Sequence, residues 1–196
     1  MNRSLPTLMA FTLAGLGLTS PAAAQIPLGI ELRANGAIAT QDAGRETHEN
    51  GFGFEGNLQY DVLSSLAVYA GWDWNRFSAL NAIAGPDTDL KETGYVLGLR
   101  YERPFQEGSR TAWWARFGGT YNHLELENPD GDLIDDSGHG FGLEAGAGVS
   151  VPFGRYWSLT PGIRYRKLSR DLEIENLTTP VKLESLAFEV GLGLHF

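Results

Sequence analysis

The chain has 196 residues, with 15 Lys and Arg against 24 Asp and Glu, and so a net charge of −9. That balance excludes a nucleic-acid binder, which needs a basic surface to displace phosphate counterions. The absence of Cys excludes disulfide scaffolds, thiolate zinc sites and Cys nucleophiles.

Glycine takes 25 of the 196 positions and aromatic residues 11%. Glycine costs about 1 kcal/mol per helix position, so this mixture disfavours helices. A hydrophobic content of 42% disfavours disorder.

The first segment reads as a signal peptide over residues 1–24. Arg3 is the only charge before Glu31, an apolar run follows from Leu8 to Leu18, and Ala22-Ala23-Ala24 supplies the small residues of a cleavage site. The apolar run is shorter than the ~20 residues that span a bilayer as a helix. Cleavage after Ala24 leaves a mature chain of 172 residues starting at Gln25. No later stretch is apolar for the ~18 residues of a membrane helix.

From there the period is two. Leu28, Ile30, Leu32, Ala34, Gly36 and Ile38 share one parity, and Glu31, Arg33 and Asn35 the other. The alternation returns at Phe52–Tyr60, Leu66–Trp74, Tyr95–Tyr101, Trp113–Tyr121, Phe141–Val151, Trp157–Tyr165 and Leu186–Phe196. These are eight expected strands, each with one apolar face.

The second parity decides which face is outside. It is rich in Gly, with Glu31, Glu55, Asp73, Glu102, Glu144 and Glu189 set against Arg33, Arg100, Arg116, Arg164 and Arg166. Glycine on a water-facing strand serves no packing purpose. Glycine between a few large charged groups fits the narrow interior of an eight-stranded barrel, and buried charges of both signs can pair there. The expected fold is therefore all-β, an eight-stranded antiparallel up-and-down transmembrane barrel over residues 25–196 with the apolar parity against lipid.

The connections alternate in length. Asp61–Ser65, Arg103–Arg110 and Pro152–Tyr156 are short; Thr40–Asn50, Ser78–Glu92, Leu124–Gly138 and Leu172–Lys182 are longer. Short periplasmic turns and long external loops would put both termini in the periplasm. Tyr60, Tyr101, Trp113, Trp157 and Phe196 then fall at the periplasmic rim, and Phe52, Trp74, Tyr95, Tyr121 and Tyr165 at the outer one, where amphipathic rings favour the headgroup layer.

The stretch from Gly142 to Arg166, turning at Pro152-Phe153-Gly154-Arg155, precedes a last strand with Phe188, Val190, Leu192, Leu194 and a terminal Phe196. This resembles the eight-stranded outer-membrane barrels of the OmpA-transmembrane and opacity-protein type. The resemblance implies the outer membrane of a Gram-negative bacterium and a last strand read by the barrel assembly machinery. The peptidoglycan-binding domain that often follows in the OmpA type is not expected, since the chain stops at Phe196.

Candidate chemistry is sparse. His48 and His195 read as solvated. His123 and His139 flank the third long loop near Glu125 and Ser137, where a lipid-facing hydrolase could place a base beside a nucleophile. Barrels that deacylate lipid A resemble one another in a His-x-Ser-Asn motif, and here His123 is followed by Leu124 and Glu125.

The third loop carries Glu125, Glu127, Asp130, Asp132, Asp135 and Asp136. An EF-hand starting at Asn128 would need Gly and Glu where Leu133 and His139 stand, so the loop reads as a solvated acidic face, with a looser divalent-cation site as the alternative. The glycines from Gly140 to Gly148 lie within a strand and make room rather than a phosphate cradle.

The reading assigns no catalytic residue, no cofactor and no metal ligand. It expects Glu144 to pair with Arg116 and Arg164, and Glu189 with Arg33, filling the lumen. The expected function is a structural or surface-interaction barrel with acidic external loops; a narrow channel or small porin is the alternative, and a lipid A acyl hydrolase a more distant one. Expected partners are outer-membrane lipids, lipopolysaccharide and, through Phe196, the assembly machinery. No nucleic-acid partner is expected, and the chain is expected to be a monomer.

Overall fold

The computed structural model describes residues 27–42, 45–78, 89–128, 130, 132–174 and 177–196. The expected signal peptide lies outside them. The period-two pattern becomes β1 (Leu28–Asp42), β2 (Arg45–Leu63), β3 (Leu66–Ser78), β4 (Asp89–Pro104), β5 (Ala112–Glu127), β6 (Leu133–Asp136), β7 (Gly140–Phe153), β8 (Trp157–Ile174) and β9 (Leu177–His195).

Eight of these strands form the barrel. Each pairs antiparallel with its neighbour, β5 with β7, and β9 returns to β1 with Glu31 opposite Gly193 and Asn35 opposite Glu189. Closure leaves the eight wall strands with no unpaired edge, the condition for a strand to sit in hydrocarbon. No helix occurs among the described residues.

At one end the connections are tight. Ser64 and Ser65 alone join β2 to β3, and Gly154 takes φ 71° in the turn between β7 and β8, a left-handed conformation that glycine adopts without a Cβ clash. The start of β1 and the C-terminal residue lie at this same end, where the Phe196 N–H donates to Leu28 O at 3.1 Å.

At the other end the structure departs from the expected loops. Thr40–Asn50 and Leu172–Lys182 are mostly strand: β1 runs to Asp42, β2 starts at Arg45, β8 runs to Ile174 and β9 starts at Leu177. The third loop is also largely a hairpin, because β6 pairs with the end of β5, Glu125 facing Asp136. A membrane crossing needs only ~9–11 residues per strand, whereas β2 and β9 have 19 each. The surplus projects past the aromatic rim as paired ribbons.

Side-chain direction follows the two parities, and then they exchange roles. Along the membrane-height part the outward residues are apolar: Leu32, Leu58, Leu97, Phe117, Leu143 and Phe188 are all exposed. Both expected aromatic rims face outward, with Tyr60, Trp113, Trp157 and Phe196 at the tight-turn end and Phe52, Tyr95, Tyr121 and Tyr165 at the long-hairpin end.

One step beyond the second rim the outward positions turn polar. Arg76 follows Trp74 and pairs with Asp89, Lys91 reaches Glu127 at 2.5 Å, and Lys167 reaches Glu184 at 2.7 Å. The inward positions there turn apolar: Phe77, Leu90, Leu124, Leu126, Leu168 and Leu183 bury together with Ala37, Ala39 and Ala187. Below the rim the barrel is inverted for lipid, and above it the barrel has the ordinary apolar core of a water-bathed one.

Candidate functional site

The lumen holds the chemistry of this chain. Five arginines and six carboxylates point inward and are almost wholly buried: Arg33, Arg100, Arg116, Arg164 and Arg166 against Glu31, Glu55, Asp73, Glu92, Glu144 and Glu189. Charges so buried are tolerable only when paired and hydrogen-bonded, and they are arranged in tiers.

Nearest the tight-turn end, Glu31 accepts from Arg33 at 2.7 Å, Arg100 at 3.1 Å, Gln59 at 2.7 Å and Thr160 at 2.5 Å. The Arg33 and Arg100 guanidiniums both lie over the Trp114 ring, 4.7 and 4.9 Å from its centroid. Both separations are within cation–π range. The ring rests on Gly148 and Gly162, where an added Cβ would overlap it. The glycines thus open space for one large ring.

The middle tier centres on Glu55, which accepts from Arg116 at 2.7 Å, Arg164 at 2.6 Å and Asn57 at 2.6 Å. Glu189 meets Arg33 at 2.6 Å and lies 3.6 and 3.7 Å from Arg116 and Arg164. Glu144 pairs with Arg166 at 2.6 Å and Arg116 at 3.5 Å, and accepts from the Tyr69 hydroxyl at 2.9 Å. Tyr69 reaches across because Gly98 and Gly118 leave its phenol room.

In the third tier Arg166 binds both Asp73 and Glu92, the latter at 2.7 Å, and Asn122 donates to Glu92 at 2.6 Å. Beyond this tier lie Leu90, Leu124, Leu126 and the other buried apolar side chains of the same cluster.

Two expectations need correction. Glu144 does not take Arg164; it takes Arg166, its direct register partner, while Arg164 faces Gly146 and turns to Glu55. The sequence puts Glu92 at the edge of a loop, but it is a deeply buried partner of Arg166, because β4 starts at Asp89. Its parity, shared with Val96 and Arg100, was the available signal. Of the other expected charges, Glu189 does meet Arg33, whereas Glu102 sits in the mouth with its side chain 37% exposed, 2.8 Å from Arg100. That mouth is a cavity of about 300 Å³ lined by Gln59, Arg100, Glu102, Arg110 and His195.

The histidines lie elsewhere. His195 is 3.4 Å from the Ser158 hydroxyl at the mouth, and the His48 side chain is outside the described ones. His123 faces Asp136 at 3.2 Å on the outer surface. The hydroxyl of the adjacent Ser137 accepts from Leu124 N–H and donates to Gly138 O, both at 2.9 Å. It is held by backbone rather than aimed at the imidazole, so the base–nucleophile pair of a hydrolase is not assembled there.

A closed antiparallel barrel with an apolar belt, aromatic rims and a charge-paired interior defines a transmembrane β-barrel of the outer-membrane class. The sequence agrees: residues 9–196 match the model of the outer membrane protein β-barrel domain, and the chain belongs to that family, whose place is the bacterial outer membrane.

Among solved structures it is similar to neisserial surface protein A (NspA), with 20% identity, TM-score 0.66, and coverage of 87% of this chain and 97% of that one. It is similar also to the outer membrane protein AlkL, with 15% identity, TM-score 0.55 and coverage of 94% and 97%. Ail, the attachment invasion locus protein of Yersinia pestis, shares 14% identity at TM-score 0.50, covering 85% and 97%. At such identities the likeness concerns the fold. No curated protein matches the sequence.

Proposed function

We propose that this barrel is closed to solute flow and serves the outer membrane as a structural or surface-interaction protein. The carrying observation is the continuous stack of Arg–carboxylate tiers beneath an apolar cap: Trp114, Arg166, Leu90 and Leu124 expose 2% of their surface or less. An open channel needs an unbroken polar path, and an eight-stranded lumen has only enough width for its own side chains.

In this reading the long hairpins face the cell exterior and both termini face the periplasm, in keeping with the short-turn and long-loop asymmetry of such barrels. The acidic hairpin from Glu125 to Asp136 then meets ions, lipopolysaccharide or another cell. The last strand, ending in Phe196, is the segment offered to the assembly machinery, and the chain acts as a monomer without catalytic chemistry.

Planar-bilayer recording of the purified protein tests closure. The expected trace shows no steady steps; large stable conductance, comparable with that of a trimeric porin, would replace this proposal with the channel reading. Protease shaving of intact cells tests orientation. Peptides from 124–138 should be released from outside, and cleavage confined to the short turns would invert the topology.

A further inference from the structure

We propose that His123, Glu125 and Asp136 form a binding site for a divalent transition-metal ion of the zinc class on the outer surface of the long-hairpin end. The site is built from two paired strands. His123 and Glu125 are two residues apart on β5 and so share its outward face, and β6 lays Asp136 directly opposite Glu125. One ligand atom from each side chain lies within 4.8 Å of the other two. The imidazole Nδ1 is 3.2 Å from Asp136 Oδ1 and 3.9 Å from Glu125 Oε1. Zinc bonds of ~2.0–2.2 Å arranged tetrahedrally put neighbouring ligand atoms about 3.3 Å apart. The His123–Asp136 pair already has that spacing, and rotation of the Glu125 carboxylate supplies the rest.

The surroundings hold these groups in place and, among the described residues, leave their charge incompletely answered. The His139 ring stacks on His123 at 4.6 Å and 6°, and also lies 5.2 Å from Tyr121, which fixes the plane of the imidazole. Asp136 Oδ1 accepts from Gly138 N–H at 2.9 Å, and the hairpin is clamped by Ser137 N–H donating to Leu124 O at 3.0 Å. Two carboxylates directly opposed across paired strands repel each other. Lys91 faces Glu125 from β4, but its ammonium lies on Glu127 at 2.5 Å. A cation between Glu125 and Asp136 turns the repulsion into attraction.

The imidazole selects the metal: nitrogen suits zinc, nickel or copper, whereas calcium and magnesium want oxygen alone. Three protein ligands leave a fourth position for water, and the bound ion ties β6 to the barrel wall.

The test uses the untagged mature protein folded in detergent, stripped with chelator and titrated with Zn²⁺ against a chromophoric competitor. The expected result is one ion per chain, undisturbed by millimolar Ca²⁺. Substituting His123→Ala with Asp136→Asn, or Glu125→Gln alone, should weaken binding by more than the ~10–100-fold lost with a mere outer-shell partner. Unheated gel mobility reports that each variant is still a folded barrel, and His195→Ala should bind as the parent does. Absence of stoichiometric binding in the parent, unchanged affinity in the folded variants, or an equal loss in His195→Ala would each overturn the proposal.

Discussion

Replacing Glu55 by Gln probes whether the lumen is dry. The Glu55 carboxylate accepts two bonds from Arg116, at 2.7 and 3.2 Å, and one from Arg164 at 2.6 Å, with Asn57 on the first oxygen at 2.6 Å. An amide keeps one acceptor oxygen. With that oxygen toward Asn57, its NH2 faces Arg164 and the second Arg116 nitrogen, so two charge-assisted bonds become donor–donor contacts.

At ~1.5–3 kcal/mol for each such bond the loss is about 3–6 kcal/mol. Glu189, 3.6 Å from Arg116 and 3.7 Å from Arg164, takes up part of the exposed charge. The expected destabilisation is then about 3–5 kcal/mol, the usual cost of removing one partner from a buried pair. Guanidinium titration of the protein folded in lipid vesicles, followed by Trp fluorescence, measures it. A loss under ~1 kcal/mol, the figure for solvated pairs, would mean that water reaches Arg116 and Arg164, and the closed-lumen argument would fail.

Gly162→Ala puts a methyl group against the rigid Trp114 ring and 2.7 Å from Ala147 O. It should cost ~1–3 kcal/mol, the range for overpacking, and less in a Trp114→Leu background, as the same titration would show. Leu124→Ala in the apolar cap should cost ~2–5 kcal/mol as a fully buried Leu truncation. It should still give no bilayer conductance, because the ionic tiers below are untouched; steady current would place the barrier in the cap alone.

Above the rim, hydrogen bonds from Lys167 and then Tyr165 hold the Glu184 carboxyl below its usual value, and the same Lys167 bond raises the ammonium. Glu184 thus adds stability that is present above the ordinary carboxylate pKa and lost as pH falls through the lowered one. The Lys167 contribution is lost as pH rises through the raised one. Glu184→Gln should therefore differ from the parent near neutrality and converge with it in acid; a gap that widens in acid would contradict this.

The period of two was legible from the chain because lipid outside and charge inside make the two parities chemically opposite, as Leu32 beside Arg33 shows. The ends were harder. Past Trp74 and Tyr165 the parities exchange roles, so a reader looking for outward leucines stops the strands early, loses Glu92 to a loop and misses the cap of Leu90, Leu124 and Leu168. Heights counted along the chain point Glu144 to Arg116 and Arg164 and miss Arg166, because partners across β7 and β8 depend on the register, with Phe153 opposite Trp157 and Glu144 opposite Arg166. Counting along the strands places partners only to within a step of two. His123, Glu125 and Asp136 all stand out as parts of the acidic loop, but their grouping does not, since Asp136 is brought opposite Glu125 by a strand, β6, that the acidic composition disguises as solvated loop.

The exchange of roles beyond Trp74 and Tyr165 also bears on how the chain chooses its alignment. Sliding one strand by a single residue flips every side chain on it to the opposite surface. In a uniform barrel that error is punished once. Here, on β5, the same slip would drive Arg116 into acyl chains at one height while pushing Leu124 and Leu126 into water at another. Misaligned assemblies are therefore penalised in both solvents at once.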